Sequence, residues 1–135
     1  MRLNYKKIGK SNRKIVILHG LFGSLDNWMT HAKFLANQDF EVYLVDQRNH
    51  GKSPNEEGHN YDLMASDLDG FLQEHNIINP YLVGHSMGGK TVMQYAMNYQ
   101  HNINRMIVVD IAPKFYAPHH HSIIDAFRSV DVPNL

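Results

Sequence analysis

Residues 81–91 read Tyr-Leu-Val-Gly-His-Ser-Met-Gly-Gly-Lys-Thr, an apolar run that breaks into Gly84-His85-Ser86-Met87-Gly88 just as a helical pattern begins. The spacing Gly-x-Ser-x-Gly between a strand and a helix has a physical reading. A serine on so tight a turn projects its hydroxyl above the edge of a sheet, in a strained conformation that its neighbours must tolerate. Gly84 and Gly88 remove the side chains that would collide where strand and helix approach each other. The helix starting near Met87 turns its N–H groups and the positive end of its dipole toward the place where an oxyanion would form. Ser86 is therefore the candidate nucleophile.

The same residues satisfy a rival pattern. Gly84 to Thr91 also fits G-x-x-x-x-G-K-[ST], the phosphate-cradling loop of nucleotide-binding proteins. The run Met106-Ile-Val-Val-Asp110 even ends in an acid of the kind that sits beside a magnesium ion. The flanking sequence decides between them. A phosphate loop gives no reason for Leu18-His19-Gly20 or Asp46-Gln47-Arg48, whereas a serine-nucleophile site explains both.

His19-Gly20-Leu21-Phe22-Gly23 follows the first strong strand. A loop in this place supplies a backbone N–H to an oxyanion hole, paired with the N–H of the residue after the nucleophile. The donors so assigned are Leu21 and Met87, with Phe22 the alternative on the loop. Each such donor stabilises the transition state by about 3–4 kcal/mol. The competing reading is a glycine-rich connection with a core histidine.

Asp46-Gln47-Arg48-Asn49-His50-Gly51 closes the next strand. Its expected role is scaffolding: Asp46 and Arg48 tie the loop by charge-assisted hydrogen bonds, and Asn49 and Gly51 tolerate a left-handed turn. Asp110 ends the strand read over Ile103–Val109, where a carboxylate can orient a catalytic histidine. Its alternative role is to cap the turn before Pro113. Phe22, Trp28 and Met87 are candidates to wall an acyl pocket. His85 is expected to point away from Ser86, and His50 and His59 read as loop residues.

Composition excludes several classes. The chain has 135 residues, enough for a single core, and 13 basic residues balance 13 acidic ones. That balance offers no electrostatic case for nucleic acid or an anionic membrane. The absence of cysteine excludes thiol catalysis and disulfides and fits a reducing compartment. With no apolar run at the start and none long enough to span a bilayer, a soluble cytoplasmic protein is expected. No metal or other cofactor is called for, and oligomeric state is not legible.

Apolar runs alternate with helical patterns, the signature of parallel βα units. Strands are expected at Ile15–Leu18, Glu41–Val45, Tyr81–Val83 and Ile103–Val109. Helices are expected at Asn27–Asn37, capped by Asp26, at Tyr61–His75 and at Met87–Tyr99. The methionines and tyrosines of the last helix read as core packing. After Ala112 the character changes, with Pro113, Pro118 and Pro133 breaking a tail that has one short amphipathic stretch, Ser122–Val130.

Ten histidines leave the base position unfilled. The chain order of such sites is serine, acid, then histidine. After Asp110 only His119, His120 and His121 remain, in a proline-flanked tract read as solvated polar sequence, with metal binding or a substitute base as alternatives.

LHGLFGSLDNW (18–28), VDQRNHGKSP (45–54), VGHSMGGKTVM (83–93) and VVDIAP (108–113) together resemble the YbfF-type bacterial esterases of the α/β-hydrolase superfamily. The resemblance implies an α/β-hydrolase fold, a mostly parallel sheet with flanking helices. Residues 1–112 would form the N-terminal part of its core and 113–135 the start of a helical cap, with the C-terminal strands and most of the cap outside this chain. It implies cleavage of small-molecule acyl esters or thioesters through an acyl-enzyme. Ser86 then matches the nucleophile, Asp110 the triad acid, and Leu21 with Met87 the oxyanion donors. The matching histidine would lie beyond Leu135, so the 135-residue chain alone is expected to be nearly inactive. A hydrolase-fold lyase or C–C hydrolase, a non-catalytic binding module and the phosphate-loop protein remain the alternatives.

Overall fold

A computed structural model describes residues 1–114. The expected cap segment, the amphipathic stretch Ser122–Val130 and His119 to His121 therefore lie outside the described residues, save for Pro113 and Lys114 at the start of the tail. The elements in order are β1 (Tyr5–Ile8), β2 (Lys14–Leu18), a 3-10 turn (Leu25–Trp28), α1 (Met29–Asn37), β3 (Glu41–Val45), α2 (Tyr61–Glu74), β4 (Tyr81–His85), α3 (Met87–Asn98) and β5 (Arg105–Val109).

The strands form one sheet in the order β1-β3-β2-β4-β5, with β1 antiparallel to β3 and the other pairs parallel. Period-two alternation on the central strands builds a core on each face. Val16 and Leu18 of β2 and Tyr43 and Val45 of β3 point toward Leu68, Phe71 and Leu72 of α2 and Val92 and Tyr95 of α3. Ile15, Ile17, Val42 and Leu44 point the other way, toward Leu25 and Ala32. Both faces of β2 and β3 are covered, which is why these strands read as unbroken apolar runs.

Topology then chooses the place for a site. The chain runs from β2 to β3 on one side, then crosses β2 to enter β4 on the other. Ligands of open parallel sheets bind outside the strand carboxyl ends at such a reversal. The register places Leu18 opposite both Val45 and Gly84, and His85 opposite Val109. The loops after β2, β3, β4 and β5 therefore open along one edge.

Three details differ from the sequence expectations. β1 was not foreseen, because three of its four residues are exposed and Lys6 and Lys7 interrupt any apolar pattern. The helix after β2 is not capped by Asp26. Ser24 caps the 3-10 turn that precedes α1, its N–H donating to Asn27 Oδ1 at 2.9 Å, and Trp28 holds the N-cap position of α1 itself. Asp26 instead faces solvent and pairs with Lys6 at 3.3 Å. On α3, Tyr95 is fully buried but Met97 is 69 % exposed, so the core stripe covers only part of that methionine and tyrosine set.

Candidate active site

The connection from β4 to α3 is one residue long: β4 ends at His85 and α3 begins at Met87. Ser86 takes φ 52° and ψ −111°, a left-handed conformation that strains any residue with a Cβ. Strand and helix cross so closely that a Cβ on Gly84 would land on the Gly88 carbonyl oxygen, and one on Gly88 on the Leu18 carbonyl oxygen. Ser86 N–H donates to the Val109 carbonyl at 3.0 Å, and Ser86 C=O accepts from Lys90 N–H at 3.1 Å as the first bond of the helix. The serine is half-buried at the carboxyl edge of the sheet. Met87 follows it in the first turn of α3, where backbone N–H groups lack intrahelical acceptors.

This geometry separates the two readings of the glycine-rich stretch. Gly88, Gly89 and Lys90 already belong to α3 rather than to a loop that could wrap a phosphate. The Thr91 hydroxyl, which a phosphate loop would present to a magnesium ion, is 1 % exposed and turned into the core. Lys90 Nζ donates to the Lys114 carbonyl.

The loop after β2 turns at Gly20–Gly23, closed by Gly23 N–H donating to Gly20 C=O at 3.0 Å, with Phe22 at φ 62°. His19 is buried beneath it. Its Nε2 accepts from Gln47 N–H at 3.0 Å, so Nδ1 carries the proton and donates to Gly20 C=O at 2.8 Å. Burial pushes this imidazole below its ordinary pKa, against the opposing pull of the Gly20 carbonyl, and the ring stays neutral. On the outer side, Phe22 N–H donates to His50 Nε2 at 3.2 Å, while His50 Nδ1–H donates to the Arg48 carbonyl at 2.9 Å.

The Asp46–Ser53 loop is the scaffold the sequence led one to expect. Burial raises the Asp46 carboxyl, but N–H groups of Lys52 (2.9 Å) and Leu25 (2.8 Å) and the Asn4 amide (2.8 Å) outweigh it and hold the pKa below the usual value. Arg48 and Asp67 form a bidentate pair at 2.6 and 2.9 Å, and Arg48 Nη1 also donates to the Gly58 carbonyl. Asn49 does adopt a left-handed conformation, at φ 63°.

Beside the Gly20–Gly23 turn lies an open cleft of about 390 Å³, lined by Leu21, Phe22, Asn49, His50 and His59 among others. Burial, then the neighbouring His50 and Arg48, lowers the His59 pKa. Trp28 does not line this cleft. Its ring lies 5.9 Å from that of His85 and 4.8 Å from that of His31, on the α1 side. Asp110 follows Val109 at the end of β5, exposed and at φ 59°. The structure thus gathers Ser86, Met87, Leu21, Phe22 and Asp110 along one edge. Among the described residues no group of three or more metal-ligating side chains converges, and no helix is long and apolar enough to cross a membrane.

Sequence reasoning missed what holds this edge together. Gln47, His50 and Thr91 bond to partners 28 to 44 positions away, and no local pattern announces such pairings.

Comparison with known proteins places the geometry. The esterase YbfF of Escherichia coli K12 is 43 % identical over 121 residues, 89 % of this chain and 47 % of that protein. The sn-1-specific diacylglycerol lipase ABHD11 of Danio rerio is 42 % identical over 123 residues, 89 % of this chain and 39 % of that protein. Among solved structures, a marine microorganism esterase superposes with a TM-score of 0.89 at 43 % identity, covering 96 % of this chain and 51 % of that one. The chain spans about half, or less, of the length of these relatives. A family model described as the alpha/beta hydrolase fold matches residues 14–132, and by that match and its sheet order the chain belongs to the α/β-hydrolase fold family, among relatives of the YbfF type.

Proposed function

We propose that this chain carries the nucleophilic half of a serine hydrolase that cleaves small-molecule acyl esters or thioesters. The observation that carries the reading is Ser86 at φ 52° on a single-residue link between β4 and α3. A strained, pre-positioned serine at a sheet edge has few structural reasons to exist and one clear chemical use.

In this mechanism Ser86 Oγ attacks the acyl carbonyl while a histidine takes its proton. The oxyanion is held by the backbone N–H groups of Leu21 and Met87. Asp110 orients that histidine, which is supplied from beyond residue 135. The protonated histidine then gives its proton to the leaving alcohol or thiol, and the acyl-enzyme is released by water that the same histidine activates. The reaction uses no metal or organic cofactor. Phe22, which lines the cleft beside the Gly20–Gly23 turn, flanks the entering substrate, and the protein works in the cytoplasm. Without the histidine, the 135-residue chain is nearly inactive, because removing the base of a triad costs orders of magnitude in rate.

Fluorophosphonate labelling followed by peptide mapping tests this. The full-length protein should gain one adduct on Ser86, absent in Ser86→Ala, and the 135-residue chain should label far more slowly. An adduct elsewhere, or ester turnover that survives Ser86→Ala, would overturn the reading. Ligand binding without turnover in both forms would favour a non-catalytic binding module.

A further inference from the structure

The donors of the proposed oxyanion hole come from different elements, Leu21 from the loop after β2 and Met87 from the start of α3. Their separation must be held to a fraction of an ångström for both to reach one oxygen. A buried amide spans that gap. Gln47 Nε2 donates to the His19 carbonyl at 2.8 Å, and Gln47 Oε1 accepts from the Thr91 hydroxyl at 2.8 Å. Thr91 Oγ1 also lies 3.1 Å from the Met87 carbonyl one turn back. His19, Gln47 and Thr91 are 1 %, 3 % and 1 % exposed.

The orientation of the amide follows from its partners. Only an NH₂ can satisfy the His19 carbonyl, so the amide oxygen must face Thr91, and the single hydroxyl proton of Thr91 goes to it. The Gln47 backbone N–H adds a further tie, to His19 Nε2 at 3.0 Å. One residue therefore joins the loop bearing one donor to the helix bearing the other. Burial shields these bonds from bulk solvent.

We propose that Gln47 is a positioning residue that sets the spacing of the Leu21 and Met87 N–H donors by bridging the His19 carbonyl to Thr91. This rests on the serine-hydrolase reading above. Gln47 touches no substrate and acts only through the backbone it holds. Misplacing an oxyanion donor by about 1 Å costs up to roughly 100-fold in rate while leaving ground-state binding largely intact.

The test uses the full-length protein, assayed with a short p-nitrophenyl ester and an arylboronic acid, whose tetrahedral adduct on Ser86 mimics the transition state. Thermal midpoints are recorded for every variant. Gln47→Met keeps the volume and removes both side-chain bonds, Thr91→Val removes the hydroxyl alone, and Thr91→Ser restores it. Gln47→Met and Thr91→Val should each lower kcat about 10- to 100-fold with KM changed less than about threefold. The boronate should weaken by the same factor as kcat/KM. Thr91→Ser should recover most of the loss, and the double variant should be no worse than Gln47→Met, since both changes cut one chain of bonds. Variants with a lowered thermal midpoint but wild-type kcat and boronate affinity would overturn the proposal and leave the hydrolase reading standing. A wild-type protein with neither turnover nor a Ser86 adduct would overturn both.

Discussion

Ser86 N–H donates to the Val109 carbonyl at 3.0 Å, so the strained turn after β4 is tied to the carboxyl end of β5 beside it. Asp110 is the next residue, itself at φ 59°. The bond makes the position of the serine depend on the pairing of β4 with β5, which runs from Tyr81–Arg105 to His85–Val109. The edge that carries the proposed chemistry is therefore held by the sheet and not by loops alone.

Strain at Ser86 has a measurable consequence. Glycine adopts φ near 52° without penalty, and single strained positions store about 1–3 kcal/mol. Ser86→Gly should therefore be more stable than Ser86→Ala by about 1 kcal/mol in urea unfolding, and both should lose the fluorophosphonate adduct. Equal stability of the two variants would mean that the turn is not strained.

At Gly84 the constraint is steric. A Cβ there has no room, because the obstacle is the Gly88 backbone rather than a movable side chain. Gly84→Ala should cost about 2–4 kcal/mol, read from the urea midpoint, as strand and helix are forced apart. Near-wild-type stability would show that β4 and α3 can separate freely.

The Arg48–Asp67 pair joins the loop after β3 to α2 and is 7 % and 9 % exposed on its side chains. Removing one partner leaves a buried charge without its match, at a cost of about 3–5 kcal/mol. Asp67→Asn should lower stability by that order, and Arg48→Met with Asp67→Leu together should recover part of the loss. A double-mutant cycle with no coupling would contradict the bidentate geometry.

Acid stability reports on Glu41. Burial pushes its carboxyl up, but Lys14 Nζ at 2.7 Å, the Tyr43 hydroxyl at 2.6 Å and Ser11 N–H outweigh burial and hold it at about 2, against an ordinary value of 4.5. A carboxylate with a depressed folded pKa adds stability that is present above the unfolded value and lost as pH falls through the folded one. The wild type should lose stability between about pH 4.5 and pH 2. Glu41→Gln should be less stable at neutral pH and show a shallower fall across that window. Parallel profiles would assign the acid sensitivity to other carboxylates, Asp46 first among them.

What was readable in advance was whatever local sterics or strand periodicity enforce. The elbow could be read from residues 84–88 because its glycines are demanded by contacts inside that stretch and against the neighbouring strand. β2 and β3 could be read because burial on both faces makes a strand apolar throughout, and β4 because its apolar start at Tyr81–Val83 leads into the glycine-rich turn. β1 could not, since it pairs at an exposed edge where backbone bonds to β3 suffice and lysines are tolerated. Asp26 does not cap α1 because a 3-10 turn capped by Ser24 intervenes, and Ser and Asp suit a cap equally well by type.

Sequence alone suffices for the fold family and for the edge of the sheet at which Ser86 stands, because tight turns and two-sided burial constrain residue types position by position. What each polar residue near that edge does depends on packing between distant segments. His19, a candidate for chemistry by type, is buried as a neutral hydrogen-bond bridge between Gln47 and Gly20. Gln47, unremarkable by type, joins the loop after β2 to α3. Hydrogen bonds in a buried site depend on which groups the register of β2, β3 and β4 brings within 3 Å, and that distance is set across the sheet, not along the chain.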